Sequence, residues 1–356
     1  MKHALLSLIL IFAMSFPSSA VELDALEQAL PEDASQILQQ INPGEPDAQK
    51  GFSALWDACR SSVHDRLRTS FRSAFLITAL CLLLSLLQNF SKTAGLALPG
   101  KISELTGATA VLLLALEDNG TLIHHAEQAV EALDGFTKTL TTVFAVASAA
   151  AGRPASAVAS AGATMLFSDI LFSLTRSLFL PGVTLYLLLH YMGVISGNAA
   201  FRQAATVGKW GITTFRKRFL TAFFVYLSFT GLVTGSADAA AVKTAQSLSG
   251  SVPLVGSVIA GASETILAGA SLLRAGVGLF GFLGAAAICL APLLTGVCHF
   301  FVFKALTVFA ATFAEDGAKA MLEALTGAYG MLVGLLTACC AVQFLAIVVS
   351  MTVTAI

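Results

Sequence analysis

Residues 329–356 read YGMLVGLLTACCAVQFLAIVVSMTVTAI, twenty-eight residues without a single charge. The hydrocarbon core of a bilayer is crossed by about 20 apolar residues of helix, so this run is long enough to span it. The rest of the chain agrees. Of its 356 residues 56% are hydrophobic and 12% are charged, against about 25% charged in a soluble domain. The mean hydropathy is +0.81. The apolar runs are long and continuous, which excludes the short alternating strands of a barrel. A net charge of -1 offers no surface for nucleic acid. The expected fold is therefore an all-α, polytopic membrane bundle.

Working back from the C-terminus, 275–356 reads as three spans: 275–294, 295–314 with His299 and Lys304, and the run from 329. Residues 219–235 form another. The stretch 73–198 reads as up to five: 71–87, 105–116, 140–152, 155–174 with Asp169, and 178–196 with His190. Two of these, 105–116 and 140–152, are short. Residues 236–274 are small and apolar but broken by Pro253 and several glycines, and they carry Glu264 and Arg274. Irregular backbone at membrane depth must be enclosed by protein or line a cavity. This segment is expected to be a re-entrant or interfacial helical hairpin.

The front of the chain looks exported. Residues 1–20 have a basic start, an apolar centre and a Ser18-Ser19-Ala20 end, the pattern of a signal peptide cleaved after Ala20. Residues 21–72 would then be displayed outside the cytoplasm as acidic and amphipathic helix running into the first span. Residues 199–218 hold Arg202, Lys209, Arg216, Lys217 and Arg218 and no acid, which marks a cytoplasmic loop. Residues 117–134 hold five acids and no Lys or Arg, which suggests the outer side. Arg60, Arg66, Arg68 and Arg72 before the first span oppose this orientation.

Several patterns invite chemistry. Gly276-Val-Gly278-Leu-Phe-Gly281 matches G-x-G-x-x-G, but it sits in an apolar helix, not after a strand. Close helix packing by Gly276, Gly278, Gly281 and Ala285 is the better reading. His124, Glu127 and Glu131 share a helical face that reads as solvated, and no metal or other cofactor is expected. No hydrolase or nucleotide-binding arrangement is present in the sequence, so no catalytic residue is named. The six cysteines lack framework spacing and read as small buried hydrophobes. The intramembrane polar residues Asp169, His190, Glu264, Arg274, His299 and Lys304 are the candidates for a pathway or a buried site, because charge at mid-bilayer must find a partner. An Asp169–Lys304 ion pair is the specific expectation.

The C-terminal half resembles a known family. The residues that carry the likeness are Lys209-Trp210 leading into 219–234, then 237–245 (ADAAAVKTA), Val252-Pro253-Leu254-Val255-Gly256, 269–273 (GASLL) and Ala291-Pro292. Their order and spacing resemble stage III sporulation protein AE of endospore-forming bacteria. The resemblance implies a subunit of a secretion-like channel between mother cell and forespore, made with other proteins of the same sporulation operon and a forespore membrane partner. It would lie in the mother-cell membrane around the forespore and assemble as an oligomer or hetero-complex. The resemblance brings no catalytic residues. The alternative is a stand-alone ion-coupled transporter with its site between 250–274 and the charged spans.

Overall fold

The computed structural model describes residues 26–38, 48–93, 100–150, 154–249 and 256–352. The signal segment with Ala20, and 250–255 of the broken segment, lie outside the described residues. After a short α1 (Glu32–Leu38) the chain forms long rods: α2 (Ala48–Thr93), α3 (Gly100–Ala150), α4 (Pro154–Leu174), α5 (Leu180–Ser196), α6 (Ala199–Ser249), α7 (Gly256–Ala310) and α8 (Asp316–Thr352). A π turn, Thr175–Phe179, joins α4 and α5 without interrupting them. Among the described residues there is no strand. Ala48–Leu87, Ala161–Ser196, Gly276–Ala310 and Asp316–Val348 are long and apolar enough to cross a membrane.

The expectation of separate 20-residue spans is corrected at three places. The segments 105–116 and 140–152 do not flank a loop, because the acidic stretch between them continues the helix α3. The segments 155–174 and 178–196 are one rod, since a π turn keeps its hydrogen bonds and only widens the spiral. The spans 275–294 and 295–314 are also one rod, with Pro292 inside it. None of these places offers a residue that turns the chain. The real turn falls at Gly197, whose φ of 63° is the left-handed conformation a glycine caps with. The basic stretch 199–218 is likewise the start of α6, not a loop.

The rods alternate in direction, and contacts between side chains fix their register. The α7–α8 hairpin is antiparallel: Thr307 meets Thr326 at 3.0 Å and the Cys289 sulfur is bonded to Cys340. α2 runs parallel to α7, with Phe52 against Phe282 and Ser70 against His299. α3 is antiparallel to α7 and parallel to α8, with Thr137 bonded to Gln343 at 2.6 Å. α5 and α6 are antiparallel, with Phe179 on Phe215. Hence Asp134, which reaches Arg176 one turn before Phe179, stands at the height of 215–218. The acidic stretch of α3 and the basic stretch of α6 therefore share a level of the bundle. The expected placement of those stretches on opposite sides of a membrane is corrected by this register.

The α7 and α8 hairpin forms the core, and α2 lies outside it. Its outward face changes character along its length. Up to Arg72 it exposes Lys50, Asp57, Arg60, Asp65, Arg68 and Arg72 with Phe52 and Trp56 among them. From Phe71 it exposes Phe71, Phe75, Leu82, Leu83, Leu86, Leu87 and Phe90. At 1.5 Å per residue that apolar face is about 30 Å tall, the thickness of a hydrocarbon core. Large apolar side chains turned outward in such a belt are what lipid contact requires, because water would leave them as an exposed patch.

Candidate functional site

Polar side chains gather in three places. The first is the seam of α3, α4 and the π turn. Asp134 is 8% exposed and holds Lys138 at 3.0 Å and Arg176 at 3.4 Å. Lys138 reaches on to Asp169 at 3.7 Å. Asp134 thus joins two helices through two cations, while Asp169 is an exposed outer member. The expected Asp169–Lys304 pair does not form. α4 carries Asp169 on the α3 side, where Lys138 takes it, whereas Lys304 projects from the outward face of α7.

The second place is the interior between α2, α7 and α8. His299 is 4% exposed. Its Nδ1–H donates to the Thr295 carbonyl at 2.9 Å, and Ser70 Oγ lies 3.0 Å from the same nitrogen. Because a carbonyl only accepts, this contact assigns the Nδ1–H tautomer. The ring stacks on Phe303 and tilts against Tyr329. Arg66 donates to Thr295 Oγ1 on the same side. The buried Tyr329 hydroxyl and Asn119 Oδ1 have no hydrogen-bond partner among the described residues.

The third place is an open groove of about 760 Å³ between α6, α7 and α8, into which Lys209, Lys304 and Glu323 project among Thr213, Thr307 and Thr326. Lys209 Nζ stands 5.6 Å above the Tyr186 ring. A Cβ on Gly327 would lie 2.6 Å from the Tyr186 hydroxyl and 2.9 Å from Lys209 Nζ, so α8 admits both only because 327 is glycine. His190 tilts against the same Tyr186, with centroids 4.4 Å apart, and bonds its carbonyl.

Glu264 and Arg274 fall in the first part of α7, and their side chains lie outside what is described. Gly278 is buried and Gly276 half-buried. A Cβ on Gly281 would lie 2.7 Å from Leu140 Cδ1, and Ala285 is fully buried. His124 accepts from Gln128 at 3.1 Å. Two features escaped sequence reasoning. Asp134 was counted only as one of five acids, and its spacing to Lys138 (i, i+4) was the available signal. Cys289 and Cys340 are bonded, not merely buried; they are far apart in sequence, and only the hairpin register brings them together.

Three comparisons bear on identity. Stage III sporulation protein AE of Bacillus subtilis (strain 168) is 23% identical over 253 residues. The match takes in 71% of this chain and 60% of that relative, so it covers less than two thirds of the relative's length. No solved structure matches. The family model described as stage III sporulation protein AE matches residues 33–354, which takes in α2 to α8 and all but the first residue of α1. The chain belongs to the stage III sporulation protein AE family.

Proposed function

We propose that the chain is a membrane subunit of the mother-cell to forespore complex needed after engulfment, serving as channel wall or scaffold and not as an enzyme. The family match over 33–354 carries this reading. The apolar belt on α2 and the four membrane-length helices support its seat in a bilayer. Its partners would be the other proteins of the same sporulation operon and a partner in the forespore membrane. The ion-coupled transporter is less well supported, because Asp169 is taken by Lys138 and offers no buried pair with Lys304. A tagged full-length chain drawn from sporulating cells is expected to bring those proteins with it. Recovery of the chain alone, together with cation uptake by liposomes holding it, would favour the transporter.

Orientation rests on the export signal and on the alternating direction of the rods. α2, α3 and α4–α5 alternate in direction, which brings the Gly197 turn to the end of the bundle opposite the start of α2; with the start of α2 outside, that turn would be inside. With Cys59 replaced by serine, Asn198→Cys is expected to resist an impermeant maleimide in intact cells and to react after lysis. Labelling in intact cells would invert the arrangement and agree with the arginines of α2.

A further inference from the structure

Lys304 stands on an apolar face. Its neighbours at one turn, Phe301 and Val308, are 65% and 69% exposed, and Phe309 is 60% exposed. It lies little more than one turn past His299, which bonds Ser70 at the level where the outward face of α2 changes from charged to apolar. The ammonium therefore sits just inside the edge of the lipid belt. Neither Lys304 nor Lys209 has a carboxylate within ion-pairing distance among the described residues, although Glu323 lines the same groove. Two lysines, three threonine hydroxyls and one acid leave a net positive, hydroxyl-rich recess. Phe300, Val308, Ala311 and Met331 add apolar lining.

We propose that this groove binds the headgroup phosphate of an anionic phospholipid, its acyl chains lying along Phe301, Val308 and Phe309. The chemistry follows from position. A charge at the edge of hydrocarbon needs a counter-charge or a path to the headgroups. Basic recesses between transmembrane helices are where anionic headgroups lodge. The hydroxyls of Thr213, Thr307 and Thr326 donate to carbonyls of their own helices, so the phosphate oxygens would be met by the ammonium groups of Lys209 and Lys304. Glu323 disfavours a second negative charge, which suits a monoanionic headgroup. This inference is independent of the role in sporulation.

The test uses the purified full-length chain in neutral detergent, titrated with phosphatidylglycerol, phosphatidylcholine or inorganic phosphate. Lipid retention by native mass spectrometry and the shift in Tm are both read. Phosphatidylglycerol is expected to be retained and to raise Tm, with neither effect from the other two. The pair Lys209→Gln with Lys304→Gln should weaken retention about tenfold, or about 1.4 kcal/mol. Lys304→Arg should keep it, and Glu323→Gln should strengthen it while leaving the fold intact. Equal retention of phosphatidylcholine, equal protection by inorganic phosphate, or unchanged retention by the double variant would each overturn the proposal.

Discussion

Asp134→Ala is expected to lower stability by about 3 kcal/mol, near the low end for removing one partner of a buried ion pair. The aspartate side chain is 12% exposed and holds two cations, from its own helix and from the π turn. Without it, Arg176 keeps its charge in a partly buried position with no acid to meet it. Lys138, 55% exposed, can turn to water, which is why the cost stays near that lower end. Asp169→Asn removes the outer member, 67% exposed, and should change stability by no more than about 0.5 kcal/mol. Asp134→Asn, which keeps the shape, should fall between the two. Thermal unfolding in detergent of the three variants checks the order. Equal losses for Asp134→Ala and Asp169→Asn would remove Asp134 from the centre of the network.

Gly284→Leu is the second large effect. A Cβ at 284 would lie 2.6 Å from Phe136 Cζ and 3.1 Å from Leu30 Cδ2. Phe136 is fully buried and has no room to swing. Overfilling such a contact costs up to about 3 kcal/mol, and it would part α3 and the segment just before α1 from α7. Trimming the partner, as Gly284→Leu with Phe136→Ala, should recover part of the loss. Gly120 provides the contrast. It is exposed in the middle of α3 with nothing within 4 Å of a would-be Cβ. Gly120→Ala should therefore raise stability by up to about 1 kcal/mol through helix propensity.

The helical class was legible because apolar runs without charge have one stable form in lipid. The ends of the rods were less so. An expectation of 20 residues per span divides a long apolar run wherever a proline or a polar residue offers an excuse. Pro292 and Arg176 supplied two such excuses, yet the helices continue through both. Gly197 followed by Asn198 was the better punctuation, since among the described residues Gly197 is the glycine whose backbone turns left-handed. The polar residues were legible as a set and not as partners. Asp169 drew notice for standing in an apolar run, whereas Asp134, in a polar stretch, is the one that becomes buried. Burial follows from which face of α3 meets α4, and a single helix pattern does not say which neighbour it will face. Lys304 and Lys209 converge for the same reason, through a hairpin register that no local spacing records.

The reading as a sporulation membrane subunit is tested most directly by deleting the gene in its host and following cells through engulfment. The account predicts that engulfed forespores form and then fail to mature, and that a wild-type copy restores mature spores. Normal numbers of mature spores from the deletion strain would contradict it.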